Sequence, residues 1–258
     1  MAETIELVPG LVGAAQQKDN LCGPFWAARI LRDAGIEAWD GEPVDEDLVA
    51  RRARTVLPDP DDGSVPPGVE SRTGYRFELP RVPPAESGTA ADALAEALEA
   101  ASGGTLRAVP LRGAWTAGRV EGLLDGTAAL GGVRLLANVR TGRFWGSRPP
   151  LEALLAELRG ERVGDPPADW DVGHFCELVL LVRGSAGALV LVHDSYPSFG
   201  WNARHLQPPR VVAAALLRGD GREGGILAVA PAAAAGDVES LARGLGLELG
   251  TWDNGTRR

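Results

Sequence analysis

The stretch Asn20-Leu21-Cys22-Gly23-Pro24-Phe25-Trp26-Ala27-Ala28-Arg29-Ile30-Leu31 decides how this chain is read. Asp19 or Asn20 can cap a helix there. Pro24 suits its first turn, where a missing N–H would be unpaired anyway. Phe25, Ala28 and Leu31, with Trp26 and Ile30, fall at helical spacing, so most of the helix is predicted to be buried. Gly35 is a natural C′ stop. A cysteine opening such a helix occupies a special position. The partial positive charge of the N-terminus favours the thiolate, and nearby backbone N–H groups can receive an oxyanion.

Outward from this helix, the residues able to carry chemistry are few. The chain has 258 residues, with two cysteines, Cys22 and Cys176, and three histidines, His174, His193 and His205. Its net charge of −9 leaves no broad basic face for nucleic acid. There is no run of 18 or more apolar residues, so no membrane-spanning helix is expected. Met1 to Pro9 holds Glu3 and Glu6 rather than a basic stretch leading into an apolar one, so a cytoplasmic setting is expected, without a disulfide framework. Lys18 is the only lysine in a chain rich in Ala, Gly, Arg and Leu, a bias typical of GC-rich genomes such as those of actinobacteria.

The remaining pattern predicts one α+β domain over residues 1–258, with the helices first and an antiparallel sheet later. Further helices are expected at Thr89 to Ala101, Gly118 to Leu124, Pro150 to Leu158, Pro208 to Arg218 and Asp237 to Arg243. Strands are expected at Val133 to Val139, His174 to Val182, Ala188 to His193 and Ile226 to Val229. The turn Gly184-Ser185-Ala186-Gly187 makes the middle two strands a hairpin. Residues 58–86 are turn-rich and read as an insertion, either a binding loop or a solvated one.

The hairpin gives Cys22 its partners. His174 starts one strand and Asp194 ends the next, so Asp194 is placed to orient the imidazole. Gly173 allows close backbone approach beside it. Upstream, Gln16 or Gln17 can donate the second hydrogen bond to an oxyanion, with Gln16 preferred. Gly23, Trp26, Gly173, Trp145 and Trp201 are candidates for substrate contact, Gln17 among them if it is not the donor, and Trp170 is a further candidate for lining the cleft. Core packing is the commoner fate of such tryptophans.

Gln16-x5-Cys22-Gly23-Pro24, Gly173-His174-Phe175 and an aspartate twenty residues on resemble the papain-like clan, with the C39-like peptidases of bacteriocin processing as the nearest likeness. The strings Cys22 to Ala28, Asp169 to Phe175 and His205 to Pro209 also resemble an actinobacterial family without an established activity. The likeness implies a papain-like fold, with the helix of the nucleophile packed on an antiparallel sheet. It implies Cys22 as nucleophile, His174 as general acid/base, Asp194 as orienter and Gln16 as oxyanion donor. Two departures stand out. Leu21 replaces the usual aspartate before the nucleophile, and Asp194 is followed by Ser195-Tyr196-Pro197 rather than directly by proline. Cleavage of a leader peptide is therefore not carried over.

The expected activity is acyl transfer through a thioester on Cys22, acting on a peptide or small amide substrate without metal or cofactor. Water as acceptor makes a peptidase or amidase. An amine as acceptor makes an amide-forming or transglutaminase-like enzyme. A non-catalytic binding module on the same fold is the remaining alternative. Cys176 shares a strand face with His174, which raises a zinc site or a Cys22–Cys176 disulfide, against the simpler reading of a buried thiol. His193, and His205 in a predicted loop, are second choices for His174, as Asn202 is for Asp194.

Overall fold

The computed structural model describes residues 15–61 and 64–257. The N-terminal stretch read for a secretory signal, Met1 to Pro9, and the turn residues Asp62 and Gly63 lie outside them. Along the chain run α1 (Cys22–Asp33), β1 (Ala38–Trp39), β2 (Glu42–Pro43), α2 (Glu46–Arg52), β3 (Leu57–Pro58), β4 (Arg81–Val82), α3 (Ala91–Ala101), β5 (Leu106–Arg112) and α4 (Ala117–Leu130). There follow β6 (Arg134–Arg140), α5 (Leu151–Leu158), β7 (Gly173–Arg183), β8 (Ala188–His193), β9 (Arg204–Gln207), α6 (Pro209–Leu217), β10 (Gly225–Pro231), α7 (Ala235–Gly244) and β11 (Glu248–Leu249).

The fold is α+β. Seven strands form one sheet in the order β11-β5-β10-β6-β7-β8-β9, with every neighbouring pair antiparallel. Both faces are buried, and strand alternation sorts the side chains. On β10, Ile226, Ala228 and Ala230 face one core, and Leu227 and Val229 the other. The first core holds α4, α5, α6 and α7, through Leu123, Leu154, Val212 and Val238. The second holds α1 and α3, through Trp26, Ile30, Leu94 and Leu98. Each leucine buried in this way contributes about 1.5–3 kcal/mol.

Three features position the site. First, α1 packs closely on β7 because Gly23 has no side chain: a Cβ there would lie 3.1 Å from Leu94 and 3.2 Å from Phe175. The expected cap is corrected, since Leu21 occupies the N-cap without a side-chain bond. Asp19 instead accepts from the Arg72 amide and Ser71, and Asn20 accepts from Ser64, so both brace the 58–86 segment. Gly35 follows the helix with φ +81, as expected.

Second, β7 and β8 form the predicted hairpin, closed by Gly184 N–H donating to Gly187 O at 2.9 Å. Glu177 pairs with His193. One further step sets Asp194 opposite Cys176, so His174 is its diagonal neighbour on the same pleated face.

Third, the turn after β8 folds back on itself. Asn202 and Ala203 take left-handed φ values of 53 and 64, and the Ala203 carbonyl accepts from the Asp194 amide at 2.7 Å.

The elements without a sequence signal are the short strands β1 to β4, together with α2, β5, β9 and β11. Pro110 interrupts the strand pattern of β5, and α2 is seven residues long, capped by Asp45 through Leu48 N. His205, expected in a loop, lies on β9. Among the described residues no helix is long and apolar enough to cross a membrane.

Candidate functional site at the start of α1

At the start of α1, Phe25 N–H is the first helical amide to find a helical partner, donating to Leu21 O at 2.8 Å. Pro24 has no N–H to offer. The amides of Cys22 and Gly23 have no acceptor among the described residues, which leaves two donors beside the thiol. Cys22 is half-buried, and its Sγ accepts from Phe175 N–H at 3.4 Å.

The imidazole of His174 feels both this cysteine and Asp194. Its Nε2 is 3.2 Å from Asp194 Oδ2. The Nε2 contact is close enough for an ion pair, but its proton does not point straight at the oxygen. Burial alone would lower the His174 pKa. The Asp194 carboxylate and Cys22 outweigh it and raise the value to about 10. Trp170 packs edge-on against the ring at 5.0 Å and Tyr196 stacks on it at 6.2 Å, which keeps bulk water away.

Asp194 is fixed from both ends. Its Oδ1 accepts from Ser195 N–H at 2.7 Å and Tyr196 N–H at 3.1 Å. Burial pushes its carboxyl up, but His174, its largest favourable partner, holds it net below the ordinary value. Gln17 braces the following residue: its amide N–H donates to Ser195 O at 3.1 Å, and its Oε1 accepts from Ser195 Oγ.

A second histidine attends the same carboxylate. His205 Nε2 stands 4.0 Å from Asp194 Oδ2, beyond hydrogen-bond reach. Its tautomer follows from Gln207. Trp145 N–H donates to Gln207 Oε1 at 2.8 Å, so the amide NH2 faces Trp145 O at 3.0 Å and His205 Nδ1 at 2.9 Å. Nδ1 must then accept, which puts the ring proton on Nε2, towards Asp194. Burial lowers the His205 pKa to about 4, so the ring is neutral at pH 7.

Cys22 opens onto a cavity of about 290 Å³, whose wall also carries Asn20, Asn138, Gly173 and Arg218. Ser64, Pro84 and Ser87 place the 58–86 segment and its flank on this wall, so the segment borders the site. Beneath it, Asn138 Nδ2 donates to His174 O at 3.4 Å, and its Oδ1 accepts from Trp252 Nε1 at 3.1 Å.

The expected residues divide into two groups. Cys22, His174 and Asp194 come together, and Gly173 is on the cavity wall. Gln16 is not on that wall: its amide donates to Glu70 O at 2.8 Å, and Asn20 stands nearer the thiol's cavity. Gln17 is buried in its bracing role. Gly23 is packed under α1, and Trp26 and Trp145 are 0% and 2% exposed, so these three are core residues rather than substrate contacts. Trp201 is half-exposed on the turn, away from the cavity wall. Asn202 is exposed on the same turn. His193 points away from Val192, as expected, and meets Trp26 at 4.8 Å and Glu177 at 3.6 Å.

Both cysteines are free, and Cys176 is fully buried in the sheet. Among the described residues no group of three or more His, Cys, Asp or Glu side chains could hold a metal ion. Sequence reasoning missed His205 as a neighbour of Asp194, and it missed Asn138 and Arg218. The string His205-Leu206-Gln207, polar at alternate positions within an apolar context, was the available signal of a strand.

No curated protein matches the chain at a significant level. Residues 2–253 match DUF6885, a family of unknown function, and the chain belongs to that family.

Proposed function

We propose that this chain is a cysteine-dependent acyl-transfer enzyme acting on a peptide or amide bond, with a papain-like catalytic arrangement. The observation that carries the reading is the buried His174 imidazole, 3.2 Å from Asp194 and electrostatically coupled to Cys22, which opens onto a cavity. Cys22 Sγ bonds to the carbonyl carbon. The C–N bond breaks as a proton of the His174 imidazole passes to the leaving amine, leaving a thioester. His174 then takes a proton from water, the oxygen attacks the thioester, and the C–S bond breaks to release the acid. An amine in place of water gives a new amide. Asp194 keeps the imidazole oriented throughout.

The developing oxyanion has the Cys22 and Gly23 amides within the helix start to receive it. Asn20, with φ +62 and its side chain on the cavity wall, takes the part first expected of Gln16. The engagement of Gln16 with Glu70 O is the one observation favouring a non-catalytic binding module instead.

The test is alkylation by iodoacetamide near neutral pH, followed residue by residue by mass spectrometry. Cys22 should react faster than N-acetylcysteine, while buried Cys176 stays unmodified. If Cys22 is no faster than the free thiol, the nucleophile assignment is wrong and the binding module is preferred.

A further inference from the structure

The cavity beside Cys22 holds more positive charge than its acids neutralise. Arg140, Arg218 and Arg222 all face it. Arg140 pairs with Asp171 at 2.6 Å and Asp220 at 3.6 Å, and Arg218 pairs with Asp220 at 2.9 Å. The Arg222 guanidinium forms no ion pair among the described residues and donates to Ala85 O, while the Arg222 backbone N–H donates to Asp220 Oδ1 at 3.4 Å. Three cations against two carboxylates leave one positive charge over. In a chain of net charge −9, that surplus sits on the wall onto which Cys22 opens.

Arg218 is built into this position. Its side chain is 1% exposed. It ends α6 with φ +60 and ψ −71, a backbone state that ordinarily costs about 1–3 kcal/mol for a residue other than glycine. The guanidinium is held 3.4 Å from Asn138 Oδ1, and a Cβ on Gly173 would come within 2.9 Å of it. The glycine beside His174 is thus what gives a buried cation its place at the cavity. Asn20, Thr89 and Asn254 keep the remaining wall polar. The volume, about 290 Å³, is at the lower end for ligand sites, which run from about 300 Å³.

We propose that the site takes a small acyl substrate bearing a carboxylate, an amino-acid-sized amide rather than a long peptide, with the carboxylate held by Arg222 beside Arg218 and Arg140. Guanidinium forks bind carboxylates through paired, charge-assisted hydrogen bonds. The inference rests on Cys22 being the nucleophile.

Two reagents with the same leaving group separate the questions. Iodoacetate carries a carboxylate and iodoacetamide does not; in each the thiolate displaces iodide as the C–S bond forms. The quantity read is the ratio of their alkylation rates at Cys22, divided by the same ratio for N-acetylcysteine. The expected value is about tenfold in favour of iodoacetate, equivalent to about 1.4 kcal/mol. Arg222→Gln should pull the ratio down several-fold, and Arg140→Gln should do the same. Arg243→Gln, on α7, removes equal charge elsewhere and should leave it as it was. If Cys22 reacts fast but the ratio matches the free thiol, or survives both cavity variants, carboxylate recognition is overturned while the nucleophile stands. If neither reagent outpaces its reaction with the free thiol, both readings fall together.

Discussion

Asp194→Asn is the substitution that most sharply probes the coupling of His174. The amide is nearly isosteric, and its oxygen can keep accepting from Ser195 N–H and Tyr196 N–H, so the loop should hold its shape. Its NH2 would then face two imidazole nitrogens that both need an acceptor, His174 Nε2 and His205 Nε2. A charge pair at 3.2 Å in a medium of effective dielectric about 20 is worth roughly 5 kcal/mol, about four pKa units. Together with Cys22, a pairing of that size outweighs the opposing cost of burial and leaves His174 raised from 6.5 to about 10. Without the carboxylate, burial prevails and His174 should fall below 6.5. With only three histidines in the chain, NMR titration of their ring protons resolves each one.

Stability should change with it. In the wild type, His174 binds its proton more tightly folded than unfolded, so its contribution is complete below pH 6.5 and is lost as pH rises towards 10. In Asp194→Asn the sign reverses: the contribution is present above pH 6.5 and is lost as pH falls from 6.5 through the variant's lower folded value. A His174 pKa within one unit of the wild-type value would refute the pairing and the electrostatics built on it.

Other positions give separate readings. Gly173→Ala drives a methyl group to about 2.9 Å from Arg218 Nη2, so it should weaken iodoacetate preference at Cys22 while far-UV circular dichroism stays native. Gln17→Ala removes the acceptor of Ser195 Oγ in a buried place and should cost about 1–3 kcal/mol in urea unfolding. His205→Phe leaves Gln207 Nε2 with one partner fewer and should cost a similar amount, about 1–3 kcal/mol by the same assay, with His174 still protonated at pH 7. Leu136→Ala, in the fully buried centre of β6, should cost about 2–5 kcal/mol and leave Cys22 reactivity intact.

What the sequence disclosed follows from which interactions are periodic or local. Helix α1 was legible because Phe25, Trp26, Ala28, Ile30 and Leu31 repeat at helical spacing, and Gly35 marks its end. The β7–β8 hairpin was legible because its turn is four residues long and both strands are apolar. The hairpin alone brings His174 and Asp194 together, since one starts a strand and the other follows its partner. The rest depends on contacts between distant segments. Arg218 meets Asn138 across eighty positions, and Trp252 meets it across 114. Gln16 looked like an oxyanion donor because its distance from Cys22 is right in sequence. The 58–86 segment takes its amide through Glu70, a contact that no local pattern encodes. Trp26 and Trp145 were ambiguous for another reason: a tryptophan suits a cleft and a core equally, and only packing decides.

The proposed activity requires a covalent acyl intermediate on Cys22, which intact and peptide mass spectrometry reads directly after brief exposure to p-nitrophenyl acetate at neutral pH. The wild type should carry one acetyl group on Cys22 and lose it again on standing, as water resolves the thioester. His174→Ala should acquire it far more slowly. An acetyl group that never appears on Cys22, or that appears equally fast in His174→Ala, would contradict the claim.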